Sequence, residues 1–319
     1  PMSGVGAVAV APEARGRGAA LTLMRRALEE LHERGIALSA LYPATQTLYR
    51  KAGYEQAGAR FAVSVQPYLI GLRDRGLLLR PYVEADRAAI GAVYEDYASR
   101  FSGALDRSPF LWHRVFFNRE IPARGFVVEE NGGITGYVFR TQDPVSPAGF
   151  DIHLTDMAAL TPGAGRRILT FLADHGSMAH LIRWFGGPAD PILALMPEQK
   201  YRMELRFYWM LRIVHLRAAL EARGYPEGLR AELHLDLHDD ILPANAGKWV
   251  LEVADGKARV REGGKGALRL DACGLAALYA GFLTPGLLEA SGNLQGDAAS
   301  KRAAQALFAG HSPWMRDMF

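Results

Sequence analysis

Val5-Gly-Ala-Val-Ala-Val10, running on through Ala11-Pro-Glu-Ala-Arg15-Gly-Arg-Gly18-Ala-Ala20, is the stretch on which the fold turns. Its first six residues are small or β-branched, the composition of a buried strand. The Gly- and Arg-rich loop leads straight into apolar residues at Ala20, Leu21, Met24, Ala27, Leu28 and Leu31, the 3.6-residue period of a helix. Gly35 stands where a left-handed cap would end that helix. Ile36 to Leu41 reads as a second strand, Tyr42-Pro-Ala-Thr45 as a loop, and Gln46 to Ala52 as a short helix stopped by Gly53. Phe61, Val63 and Val65 alternate with small or polar neighbours, the mark of a half-buried strand. Strand, glycine loop, helix and strand make a βαβ unit, so this region is α/β. A strand as early as residue five predicts that the chain starts inside a domain, whose preceding strands and helices would lie before it, and no secretory leader is visible.

Outward from that unit a second begins near Leu77. Leu-Leu-Leu-Arg-Pro is a strand, and Asp86 is placed to cap a helix through Tyr97. Phe126-Val-Val and Tyr137-Val-Phe flank Asn131-Gly-Gly, a hairpin signal. Asp151 to Leu160 is another strand, and Thr161-Pro162 opens a helix as N-cap and first-turn proline. This order could be the complete form of the first unit, a divergent internal duplication. From about Leu211 the pattern changes to α+β: a helix over Val214 to Arg223, alternating strands at Leu233-Leu235-Leu237 and Trp249-Leu251-Val253, and strands at Lys257 to Arg261 and Ala267 to Leu270. Asp271 caps a helix through Leu283, and Lys301 to Phe308 is a last one. We place the domains at 1–75, 76–210 and 211–319.

Composition narrows the function. The 319 residues are 49% hydrophobic and 22% charged, which excludes disorder, collagen and coiled coil as global descriptions. No apolar run is long enough to span a bilayer. Lys plus Arg number 37 against 34 Asp plus Glu, interspersed rather than clustered, so the field is weak and neither nucleic acid nor membrane is an expected partner. The lone Cys273 cannot form an internal disulfide, which fits the cytoplasm. His153, His175, His180, His215, His234 and His238 lack metal-ligand pairing, and His234 and His238 with Asp236, Asp239 and Asp240 read as surface turn chemistry; no metal is expected.

Arg15-x-x-Gly18-x-Ala20 lies between a strand and a helix start, where free N–H groups and the helix dipole suit a pyrophosphate. The string is neither a Walker loop nor a dinucleotide fingerprint, and a solvated Arg/Gly turn fits it too. The corresponding turn Thr161-Pro-Gly-Ala-Gly165 has no Arg and loses a donor at Pro162, so the anion site belongs to the first loop alone. Leu233 to Leu237 and Leu275 to Leu283 could line a lipid cavity but fit packing better.

The loop resembles the fourth strand and pyrophosphate loop of the GNAT acyltransferases, and Leu48-Tyr49-Arg-Lys-Ala-Gly53-Tyr54 resembles the segment after their fifth strand. The three-part layout, Leu-Glu-Ala-Arg-Gly-Tyr225 and the terminal Phe319 resemble the enhanced intracellular survival (Eis) family over nearly the whole chain from Val5. The resemblance implies tandem GNAT-like domains, the first incomplete at its N-terminus and the second degenerate, then a sterol-carrier-like domain. It implies an acetyl-CoA-dependent N-acetyltransferase whose acceptor is an amine of a small polycationic molecule such as an aminoglycoside, or lysine, working as a homo-oligomer, a hexamer. Carried onto matching positions, Val8, Ala9 and Val10 would pair with the pantetheine arm, and Arg15, Gly16, Arg17, Gly18, Ala19, Ala20 and Leu21 would cradle the pyrophosphate. Ala44, where the family often has Ser, and Thr45 would touch the thiol end. Tyr49 would be the general acid and the Phe319 carboxylate the base. Read alone, Tyr49 also fits a packing tyrosine, and Phe319 a frayed end that Trp314, Met315 and Met318 could help to dock. A non-enzymatic lipid- or ligand-binding protein with a vestigial acetyltransferase domain is the alternative.

Overall fold

The computed structural model describes residues Pro1–Phe319. They form two compact bodies: Pro1–Gly58 with Tyr208–Pro313 and Phe319, and Ala59–Phe207 with Trp314–Met318.

The first body opens with strand β1 (Met2–Val5), helix α1 (Ala19–Glu33), β2 (Leu38–Leu41) and α2 (Gln46–Lys51). β1 and β2 are parallel, paired from Met2↔Leu38 to Val5↔Leu41, and α1 crosses between them as the helical pattern predicts. α1 buries Met24 and Leu28 against Leu41, Tyr49, Tyr54 and Met210. The strand expected over 5–10 is earlier and shorter. Ala7 takes φ +56, a left-handed value that turns the chain out of the ladder, and Pro43 after β2 has no N–H to extend it. Thus Val8 and Val10 are half-buried while Ala9 is exposed, beyond the last Val5↔Leu41 pair.

β3 (Glu55–Val65) carries the chain into the second body, which adds β4 (Leu78–Pro81), α3 (Arg87–Ser99), α4 (Pro109–Phe116), the short pair β5 (Phe117–Asn118) and β6 (Ile121–Pro122), β7 (Arg124–Glu130), β8 (Gly133–Ser146), β9 (Gly149–Ala159), α5 (Pro162–Ala173), β10 (Ala179–Gly186) and α6 (Pro191–Ala194). Its strands run in the order β3-β10-β9-β8-β7-β4, antiparallel except for β9 with β10. Period-two alternation decides which helix each residue meets: Val127, Tyr137 and Phe139 pack with Ile90, Val93 and Tyr97 of α3, and their neighbours Val128 and Val138 with Ile168 and Leu172 of α5. The β7–β8 hairpin turns on Asn131 (φ +52) and Gly132 (φ +80), as its sequence predicts. Asp86 differs from expectation. Its carboxylate accepts from Arg80 and from the Val83 N–H at 3.0 Å, without capping α3.

β11 (Arg202–Ile213), a strand the sequence patterning left unassigned, brings the chain back to the first body, where its last residues pair antiparallel with β2. Then follow α7 (Leu216–Ala222), β12 (Ala231–His238), β13 (Gly247–Ala254), β14 (Lys257–Glu262), β15 (Leu268–Asp271), α8 (Ala272–Ala280), α9 (Pro285–Ala290), β16 (Leu294–Gly296) and α10 (Ala298–Leu307). α7 starts two residues later than predicted because His215 is its cap, accepting from Ala218 N–H. α8 stops three residues before Leu283 because Gly281 takes the left-handed C-cap, φ +76. Leu233, Leu235 and Leu237 of the β14-β13-β12-β15-β16 sheet pack directly on Leu220, Leu275 and Leu278, so these side chains are core. Asp239 is not surface chemistry as expected. It is buried on Arg212 at 2.6 Å, while His234 pairs with Glu232 and His238 with Asp240. No helix is long and apolar enough to cross a membrane.

Candidate active site

The loop before α1 has the geometry of an anion cradle. Gly16 and Gly18 have φ of +76 and +80, values that side chains resist, and a Cβ built on either would meet nothing within 4 Å. Gly18 is the N-cap and offers no side chain, and the first helical bond runs from Thr22 N–H to Gly18 O. The N–H groups of Ala19, Ala20 and Leu21 are therefore left without intrahelical acceptors. Arg17 is exposed, and the exposed Arg15 donates to Val10 O at 3.4 Å. The turn before α5 is built differently. Thr161 accepts from Ala164 N–H at 3.1 Å and donates to Glu130 at 2.6 Å, so that helix start already holds a cap and a carboxylate. Gly165 is packed on Leu195 and lies inside the body.

Ala44 and Thr45 are exposed at the start of α2, and Thr45 makes no side-chain cap there. Tyr49, one turn on, is 7% exposed and lies edge-on to Tyr54 with ring centroids 6.1 Å apart. Burial raises its pKa. Tyr54 is deeper, bonded to Ser39 at 2.8 Å, and burial pushes it up to about 12. Phe319 is not frayed. Its ring lies 5.5 Å from that of Tyr42 and so close over Gly4 that a Cβ there would come within 2.7 Å. The first body thus holds the loop, Tyr49 and the Phe319 ring.

The second body has its own cavity of about 730 Å³, walled by α4, the β5–β6 pair, β9 and β10 and closed by Arg316, Asp317 and Met318. His153 lies in its wall; burial lowers its pKa, offset only in part by Asp143. Sequence patterning gave no notice of this cavity, because its lining, from Arg60 to Met318, comes from segments more than 200 residues apart.

Residues 1–57 and 103–213 match acetyltransferase (GNAT) domain models, and residues 216–316 match a sterol carrier protein domain. A crystal structure of a GCN5-related N-acetyltransferase from Anabaena variabilis is 40% identical, with TM-score 0.95, covering all of this chain and 82% of that one. The N-acetyltransferase Eis of Mycobacterium tuberculosis is 26% identical over 98% of this chain and 79% of its own length. The chain belongs to the Eis family of GCN5-related N-acetyltransferases. Eis1 from Mycobacterium abscessus, 25% identical with TM-score 0.79, covers all of this chain and 82% of its own. The protein is accordingly an N-acetyltransferase with two GNAT domains and a sterol-carrier domain. GNAT enzymes use acetyl-CoA, and the open cradle at Gly16 and Gly18 is of the kind its pyrophosphate fits.

Proposed function

We propose that this Eis-family enzyme moves the acetyl group of acetyl-CoA directly to an amine of a small polycationic acceptor such as an aminoglycoside, or of lysine. The open cradle before α1 carries the reading, since paired left-handed glycines and a row of free N–H groups suit an anion. Acetyl-CoA supplies an activated thioester. The N–H groups of residues 16–21 hold its phosphates with Arg15 and Arg17, and the backbone of Val8, Ala9 and Val10, beyond the β1–β2 ladder, takes the pantetheine arm as a further strand. Ala44 and Thr45 meet the thiol end. As the acceptor nitrogen bonds to the thioester carbon, the Phe319 carboxylate takes the proton released. As the carbon–sulfur bond breaks, the Tyr49 hydroxyl gives its proton to sulfur. A phenol is protonated at neutral pH, as an acid requires, and burial shifts the Tyr49 pKa further up. Transfer is direct, so no acyl-enzyme forms and no metal is needed.

The test is thiol release from acetyl-CoA across a panel of polyamines, aminoglycosides and lysine peptides. Release that depends on the amine supports the reading, and equal release with and without every amine overturns it. The same reading takes the enzyme to be a cytoplasmic homo-oligomer, a hexamer, and light scattering that gives a monomer at micromolar concentration would refute the assembly.

A further inference from the structure

Within the first body, Tyr49 sits where α2 ends, and the way that helix ends decides where its ring lies. Gly53 takes φ +81 and its N–H donates to Arg50 O at 2.9 Å, while the Tyr54 N–H donates to Tyr49 O at 3.0 Å. This is a Schellman ending, in which a side chain in the last turn meets the side chain just past the glycine. Here the two are Tyr49 and Tyr54, whose rings meet edge to face. Gly53 is needed for space as well as for its φ. A Cβ there would come within 2.9 Å of Nε and Cζ of Arg212 in β11, and within 3.2 Å of the Ala272 Cβ. Arg212, with 1% of its side chain exposed, donates through Nη2 to both oxygens of Asp239 at 2.6 and 2.7 Å, and its Nε has no hydrogen-bond partner. Asp239 is fixed in turn by the N–H groups of Ile241 and Leu242, at 3.2 and 3.0 Å, and by Asn245 at 3.4 Å. The Cys273 thiol, in the first turn of α8, lies 3.4 Å from the carbonyls of both Arg50 and Tyr54.

The guanidinium thus lies against the bare backbone of the turn, at the C-terminal end of α2, where the helix dipole favours a cation. A buried ion pair adds little stability that apolar side chains of the same size would not, so what it brings here is a defined geometry. We infer that Arg212 is a positioning residue for Tyr49, and that the sterol-carrier domain, through Asp239 and the start of α8, holds the α2–β3 turn from which the Tyr49 hydroxyl is aimed. This rests on the reading of Tyr49 as the general acid. It gives the third domain a part in acetyl transfer that needs no ligand of its own.

Two substitutions in the full chain test it without leaving Asp239 unpaired. Arg212→Lys keeps a charge for Asp239 but has no flat guanidinium to lie against the turn. Gly53→Ala sets a methyl against that guanidinium from the other side. Each is made alone and together with Tyr49→Phe. A misplacement of about 1 Å can cost ~100-fold in rate, so a loosened turn should lower kcat roughly tenfold, with KM for acetyl-CoA unchanged. Beside Tyr49→Phe neither substitution should lower kcat further, because no hydroxyl remains to be aimed. A residue that served the fold alone would cost the same in both backgrounds, and equal losses there overturn the positioning role. Full kcat in Arg212→Lys or in Gly53→Ala, beside a slow Tyr49→Phe, overturns it too while leaving the acid in place. Full kcat in Tyr49→Phe alone overturns the acid itself, and the positioning role with it.

Discussion

Tyr49 and Gly4 test the chemistry at single atoms. Tyr49→Phe removes one oxygen from a buried ring whose packing on Tyr54 stays, so fold and acetyl-CoA affinity should persist. Turnover should fall by the ~10²–10⁴ typical of losing a general acid, read as kcat in the thiol-release assay. Unchanged kcat would assign the proton to another donor. Gly4→Ala acts on the other partner. Its new methyl would occupy space now filled by the Phe319 ring and must displace it. The expected outcome is a kcat roughly tenfold lower or worse with calorimetric affinity for acetyl-CoA retained, since displacement by less than about 1 Å already disturbs alignment. Loss of affinity instead would mean that β1 itself had shifted.

At the scale of an element, the loop and the first turn of α1 work as one piece. Gly18→Val imposes a β-branched side chain at φ +80, at a cost of about 1–2 kcal/mol, and fills open space above the free N–H groups. Acetyl-CoA binding should be lost to calorimetry, with Tm lowered by only a few degrees. Retained binding would remove the cradle from the reading. The turn before α5 offers no such control at Gly165, where an added methyl would strike Leu195 and disturb packing. Gly163, in the same first turn, is the gentler position, and Gly163→Ala should leave acetyl-CoA affinity as it is.

Over the whole molecule, buried ionisable groups set the response to acid. Burial is the main cause that lowers the pKa of His153, His175 and His215. The unfolded chain therefore takes up protons near pH 6.5 that the folded chain refuses, and stability falls as pH drops through that value. Burial would raise Asp156, but the charge and hydrogen bond of Arg107 outweigh it and hold this carboxyl low. Asp86 is held low by its bonds to Arg80. Their contribution is present above the unfolded carboxylate value of about 4 and is lost below it. Tm measured from pH 8 to 3.5 should decline in two stages, each ~1 kcal/mol appearing as about 2–4 °C. A flat profile through pH 6.5 would show that these histidines titrate as in water.

Much of the molecule is written in short-range order. The 3.6-residue period over Ala20–Leu31, the Asn131-Gly132 turn, the Thr161-Pro162 and Asp271 caps and the glycines at 16 and 18 are local, because backbone sterics and capping act within a few residues. Those signals were enough to show two α/β units, an α+β region and the loop suited to an anion. Where β1 ends was not legible in them, since it depends on a left-handed Ala7 and on Pro43 of another segment. Nor was β11, whose run of Arg, Glu and aromatic residues has no clean alternation and which pairs with β2 some 170 residues earlier. The meeting of Arg107 with Asp317, the seating of Phe319 over Gly4 and the burial of Asp239 on Arg212 belong to the tertiary structure alone. Such pairings are chosen by the free energy of burying charge and ring together at one place, and no periodicity along the chain records it.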